Sequence, residues 1–346
     1  MTVDISSAKT VVNAFLAAFF EEKIRESNAI DASYARLWEN IRDVALCGGK
    51  RLRPYLTYVG YGAIDDRITP VAAAQELLHI ALLVHDDIID RDDLRHGQAN
   101  LNGRYLSIYG ELDSAGERRH YSYSAAMLAG DLLISAAHSL VAASDFSEQA
   151  KVAADARLSR SIFEVAGGEL MDTEASFMPD YYDPMVINRY KTASYSFVGP
   201  LLTGAPLAGR SSADRKALER CGEQFGIAYQ LRDDYLGVFG DEKSTGKSTY
   251  GDLREGKKTY LIEQYALLSN QSASELTAAG FGDASASDET LQALKDDIAR
   301  SGATKANAET ARRCLDEAYA ACASLSDNAI RLSLHALLQK LEERDA

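Results

Sequence analysis

The chain has 346 residues, 46% of them hydrophobic, which is ample for a large core, and a formal net charge of −14. That acidity excludes a general nucleic-acid or anionic-membrane binder, which needs a basic face. Its four cysteines, Cys47, Cys221, Cys314 and Cys322, form no CxxC pair. Neither a disulfide framework nor a zinc site is indicated, and a reducing cytoplasm fits.

In chain order, "VVNAFLAAFF" (11–20) lacks a basic lead-in and runs into "EEKIRE", so Val12, Phe15 and Phe19 mark an amphipathic helix and not a targeting signal. No apolar run reaches the roughly 18 residues of a membrane span. Few prolines and alanine-rich spacing predict helices at about 8–28, 32–46, 54–64, 70–91, 121–143, 149–176, 184–204, 212–239 and 257–268, with more after 288. No alternating strand with a hairpin turn stands out. The fold class is all-α, read as a single large domain over 1–346. Polar, glycine-punctuated loops are predicted at 92–120 and 240–256, and a linker at 269–287.

"VHDDIID" (84–90) places three aspartates at the end of an otherwise apolar helix. Residues four apart share a face, so Asp86 and Asp90 project together, with His79 two turns earlier; Asp87 points elsewhere. A solvated helix end is the ordinary reading of such a run, but aspartates at a helix C-terminus oppose its dipole. The pattern recurs in "YQLRDDYLGVFGD" (229–241), where Gln230, Asp233, Gly237 and Asp241 form one stripe. Two such helices, each followed by a polar loop carrying basic residues, predict carboxylates facing one another across a cavity and sharing Mg²⁺, a cation held by oxygen ligands. "GGKRLRP" (48–54) presents Lys50, Arg51 and Arg53 on a flexible turn suited to phosphate. "STGKS" (244–248) lacks the upstream glycine of a nucleotide-binding loop.

With "LRHG", "AGDLL", "KTAS" and "DLREGKKT", these motifs stand in the order and approximate spacing found in the trans-isoprenyl diphosphate synthases, and from about residue 40 to 260 the chain resembles that family. The resemblance implies an all-α isoprenoid synthase fold, with helices around a deep cavity, usually as a homodimer. It assigns Asp86, Asp90 and Asp233 to Mg²⁺, with Asp87 and Asp234 in support. It assigns Lys50, Arg53 and His79 to isopentenyl diphosphate. Arg95, Lys191, Lys247 and Lys257 match residues that grip an allylic diphosphate, and Thr192 and Gln230 sit beside the reacting carbons.

Two positions depart from the family pattern. His96 stands where a second arginine is usual, and Gly237 replaces the last aspartate of the second motif; Asp241, one turn on, is a candidate substitute through water, and a glycine at this place also resembles bacterial members of the family. The family reads Ala81 and Leu82 as part of the cavity floor, and the small Ala81 implies a product of C20 or longer. The implied reaction uses no nucleophilic Ser or Cys, leaving the cysteines as packing residues. Two other readings share the aspartate helices. A terpene cyclase or head-to-head prenyl synthase would not need the basic site in "GGKRLRP"; a non-catalytic regulatory subunit would be expected to lose Asp86 or Asp90.

Overall fold

The computed structural model describes residues 2–95, 97–112, 114–176, 182–240 and 250–343. Among these the chain is helical apart from a two-residue hairpin, Leu94–Arg95 (β1) against Gln98–Ala99 (β2), with Leu94 opposite Ala99. The chain divides into two compact units, one comprising 1–158 and 200–210, the other 159–199 and 211–346.

The first unit begins with α1 (Ile5–Asn28) and α2 (Ala32–Leu46), whose starts are fixed by Asp4 and Asp31 side chains accepting backbone N–H groups. The buried stripe of α1 is Ala8, Val12, Leu16 and Phe20, with Phe15 and Phe19 only half-buried at its edge. α3 (Leu52–Tyr61) leads to α4 (Thr69–Ile89), which is buried on most of its circumference from Val71 to Val84. The predicted 92–120 loop instead holds the hairpin, α5 (Leu101–Ile108) and the first turns of α6 (Ala115–Ala143), each helix started by an N-cap, Asn100 and Ser114. α6 lays Ala125, Ala126, Ala129, Gly130 and Leu133 into the core, and it packs extensively on α4. Contrary to the sequence reading, α6 is long and apolar enough by length and composition to cross a membrane, alone among the described residues.

α7 (Glu148–Ala175) runs from the first unit into the second. α9 (Gly199–Leu207) returns to the first, where it crosses α3 with no room for side chains. A Cβ on Gly60 would lie 2.2 Å from the Leu201 carbonyl oxygen, and one on Gly204 2.2 Å from that of Thr57. The neighbouring Gln75 of α4 is buried and donates to Thr203 Oγ1 at 2.9 Å.

In the second unit, α8 (Pro184–Ile187) runs into a π-helix, Asn188–Val198. α10 (Ser212–Phe239) packs on that π-helix, where Gly226 admits the Ala193 backbone. It also packs on α15 (Ala303–Ala323), where Asn307 donates to the Leu231 carbonyl at 3.1 Å. The remaining helices are α11 (Gly251–Glu255), α12 (Tyr260–Ser269), α13 (Ala273–Ala278), α14 (Asp288–Ser301) and α16 (Asn328–Glu342). α13 falls in the predicted linker. A second core of Val238, Leu253, Leu261, Ile262, Tyr265, Leu276, Phe281, Leu291, Leu294 and Ile298 ties α11 to α12, α13 and α14. Cys221, Cys314 and Cys322 are buried free thiols, but Cys47 is exposed and so is no packing residue.

Candidate active site

In the first unit, α4 delivers its aspartates to the surface because its apolar face ends there. Asp86 is half-buried and Asp90 is the exposed C-cap. Asp87, turned away from them, is 3% exposed and accepts Arg95 Nη2 at 2.6 Å and Nε at 3.1 Å. Burial raises the Asp87 carboxyl, and the Arg95 hydrogen bonds resist that shift. Arg95 Nη2 also lies 3.7 Å from Asp86 Oδ2, so one guanidinium joins the two neighbouring aspartates. The hairpin places that arginine, because β1 turns the chain back at the end of α4.

The basic turn 48–51 behaves unlike three equivalent surface cations. Lys50 is exposed and Arg53 half-buried, but Arg51 between them turns inward. Its Nε donates to Asn13 Oδ1 at 2.7 Å, Nη1 to Glu76 Oε1 at 2.6 Å and Nη2 to the Ala45 carbonyl at 2.7 Å. Both ends of the Arg51–Glu76 pair are 4% exposed. Arg51 reaches this position from a left-handed backbone, φ 52°. Glu76 lies one helical turn before His79, so the anchor fastens the turn to the segment of α4 that carries His79. Burial holds the His79 imidazole well below its usual pKa, and the charges of Arg53, Arg95 and Arg51 push the same way. The predicted isopentenyl diphosphate residues therefore include a neutral imidazole in the field of three guanidiniums. His96 lies outside the described residues.

In the second unit, Asp233 is exposed and Asp234 is 2% exposed. Gln230 Nε2 donates to Asp234 Oδ1 at 2.8 Å, and its Oε1 accepts Thr192 Oγ1 at 2.8 Å, so both amide ends are fixed. Sequence spacing grouped Gln230 with Asp233; its partner is Asp234. Lys257 Nζ lies 3.5 Å from Asp234 Oδ1. Burial opposes the Lys257 charge, but Asp234, Asp252 and Asp172 outweigh it and its pKa is raised.

Lys191 is held by two carboxylates of α7 that the sequence reading missed, Glu169 at 2.9 Å and Asp172. Their i, i+3 spacing after "GG" was the available signal, and the second glycine has a reason: a Cβ on Gly168 would lie 2.3 Å from the Lys191 backbone nitrogen. The π-helix widens the turn at this point, as π segments near functional groups often do. Lys247 and Asp241 lie outside the described residues.

Burial raises the Asp234 carboxyl from 3.8 to about 6, against the charge of Lys257 and the Gln230 hydrogen bond. A carboxyl raised in the folded state contributes stability that is full below its unfolded pKa and is lost as pH rises through the folded value. In metal-free protein, wild type should therefore gain about 2 kcal/mol over Asp234→Asn between pH 7 and pH 4. Urea unfolding of both proteins across that range measures it, and a constant difference refutes it.

A family profile described as Polyprenyl synthetase matches residues 35–298. The chain is 34% identical over 233 residues to the short chain isoprenyl diphosphate synthase of Methanocaldococcus jannaschii, covering 66% of this chain and 65% of that enzyme. It is 32% identical over 295 residues to the geranylgeranyl diphosphate synthase of Sulfolobus acidocaldarius, covering 81% and 83%. A solved structure of geranylgeranyl pyrophosphate synthase from Corynebacterium glutamicum, complexed with isoprenyl diphosphate and magnesium, superposes with a TM-score of 0.90 at 30% identity over 99% of both chains.

Proposed function

The chain belongs to the polyprenyl synthetase family, a family of isoprenyl diphosphate synthases, and from that premise we propose that it condenses isopentenyl diphosphate with an allylic diphosphate into an all-trans polyprenyl diphosphate of C20 or longer. The observation that carries this reading is that each acidic motif has basic side chains in contact with it: Arg95 on Asp87 and Asp86, and Lys257 on Asp234. Cations stabilised by carboxylates are a preorganised binding surface for a diphosphate. The basic anchor around Arg51, Arg53 and His79 favours a second diphosphate substrate over a cyclase, and intact Asp86 and Asp90 favour an enzyme over a regulatory subunit.

The donor set fits a hard divalent cation, since Asp86 and Asp90 lie a turn apart and the neighbouring Asp87 is occupied by Arg95. Asp86 and Asp90 in the first unit and Asp233 in the second would hold Mg²⁺, three ions with substrate, which would supply positive charge to neutralise the leaving diphosphate. Arg95, Lys191, Lys247 and Lys257, with His96, bind the allylic diphosphate, and Glu169 and Asp172 hold Lys191 in place. Lys50, Arg53 and the neutral His79 bind isopentenyl diphosphate. Once the allylic C–O bond ionises, the alkene attacks the cation, and the departed diphosphate takes the proton. Thr192 and Gln230, fixed against each other, present oxygen dipoles to the positive charge.

We read the whole chain as one synthase domain, cytoplasmic, with no stable membrane insertion, acting as a homodimer. The exposed Tyr121, Met127 and Leu128 along α6 support association between copies.

Pure protein incubated with Mg²⁺, isopentenyl diphosphate and dimethylallyl, geranyl or farnesyl diphosphate should consume the isopentenyl substrate only with an allylic partner. Consumption without one, or none with any of them, refutes the reading. The dephosphorylated alcohols should be C20 or longer. Ala81 is fully buried on α4, so Ala81→Phe introduces an aromatic ring into the core above Asp86 and should shorten the product by one or more five-carbon steps. Unchanged chain length would remove Ala81 from the floor.

A further inference from the structure

The second acidic motif reads Asp233-Asp234-Tyr-Leu-Gly237, and Gly237 brings no ligand of its own. On α10 it stands three residues after Asp234 and four after Asp233, so its direction falls between the exposed Asp233 and the buried Asp234. The space beside it is filled from elsewhere. A Cβ built on Gly237 would lie 1.9 Å from Asp252 Oδ2, 2.8 Å from its Cγ and 3.4 Å from Oδ1. An ordinary side chain at 237 and the Asp252 carboxylate would claim the same volume.

The delivery of Asp252 is built into the second unit. Leu253, fully buried, anchors α11 in the core, and its carbonyl accepts Gly282 N–H at 2.8 Å. Gly256 then caps α11 in a left-handed conformation, φ 68°, and the Asp252 carbonyl accepts the Lys257 N–H at 3.0 Å. One tight turn thus holds both the Asp252 carboxylate against α10 and the Lys257 ammonium 3.5 Å from Asp234. The charge of Asp252 acts on both of these groups.

We propose that Asp252 supplies the third carboxylate of the second acidic motif, reaching through space the position that residue 237 leaves open. This rests on the proposed diphosphate synthase reading and says how the chain completes a motif that its local sequence leaves short. Gly237 is then glycine because Asp252 is there, and the two positions are coupled.

The experiment compares wild type with Asp252→Asn, Asp252→Ala, Gly237→Asp and the exchange Gly237→Asp/Asp252→Ala. Mn²⁺-dependent binding of inorganic pyrophosphate, followed by calorimetry and by the Mn²⁺ paramagnetic signal, is read alongside turnover. Asp252→Asn keeps shape and loses charge, so it should fold as wild type while Mn²⁺-dependent pyrophosphate affinity and turnover fall about 10- to 100-fold. Gly237→Asp should lower the melting midpoint, because two carboxylates then compete for one space. The exchange should recover pyrophosphate affinity to within about threefold of wild type, which a merely structural role for Asp252 does not predict.

Wild-type affinity in Asp252→Asn overturns the proposal, whether or not Gly237→Asp folds. An exchange variant that folds but binds no better than Asp252→Ala overturns it as well. If wild type itself neither binds Mn²⁺ with pyrophosphate nor turns over, the functional reading falls instead.

Discussion

Asp86→Ala should lower turnover by about 1,000-fold or more while the helical circular dichroism stays unchanged. Asp86 is half-buried, lies at the end of a helix whose core is elsewhere, and Arg95, 3.7 Å from it, keeps a shorter bond to Asp87. Removing it costs the fold little. What it removes is negative charge at the place where Mg²⁺ must be held against a leaving diphosphate, and a preorganised electrostatic contact of this kind is worth about 100- to 1,000-fold singly, more where it anchors a cation. The loss should fall on kcat at saturating substrate, with Mg²⁺ affinity lowered in parallel. Titrating Mg²⁺ against single-turnover rate in both proteins checks it, and retained activity removes Asp86 from the metal site.

The second large effect is on stability. Arg51→Met should destabilise the protein by about 3–5 kcal/mol, because it leaves the Glu76 carboxylate buried without its counter-charge. Among the described residues Glu76 Oε2 has no hydrogen-bond partner, so Arg51 carries the main compensation for this buried carboxylate. Arg51→Lys should recover only part of the loss, since a point charge cannot reach Asn13, Glu76 and the Ala45 carbonyl in the planar arrangement of a guanidinium. Arg51→Met/Glu76→Leu should regain most of it. In those variants that fold, the anchored turn is released, and KM for isopentenyl diphosphate should rise far more than KM for the allylic substrate. Denaturant midpoints and the two KM values test both parts; additive single-variant losses would show that the pair is not coupled.

The helices from 5 to 46 and from 212 to 239 were legible because capping residues and apolar periodicity agree there. α5 and the hairpin were not, because "DDLRHGQANLNGR" is polar and its order comes from Asn100 and Asn102 bonding back to the Asp92 and Asp87 carbonyls. α13 did carry a signal, the Ser272–Glu275 capping box, within a stretch whose composition resembles a linker. The motif aspartates and lysines could be read from spacing. Their partners could not. Nothing local distinguishes Arg51, pointing inward, from Lys50 beside it, and only the folded chain shows that Asp252 reaches Gly237.

The wide-turned stretch that carries Lys191 has a consequence for sequence change. A π segment holds an extra residue relative to an α-helix of the same rise. Deleting one residue within it could be absorbed by tightening to the common helical pitch, with the flanking elements left in register. A cut ahead of Lys191 would, however, shift the positions inside the segment by one residue, roughly 100° about the axis, carrying the ammonium away from Glu169 and Asp172. Such a deletion would be silent to thermal denaturation and costly to catalysis, so length variation in this segment should be under functional and not conformational constraint.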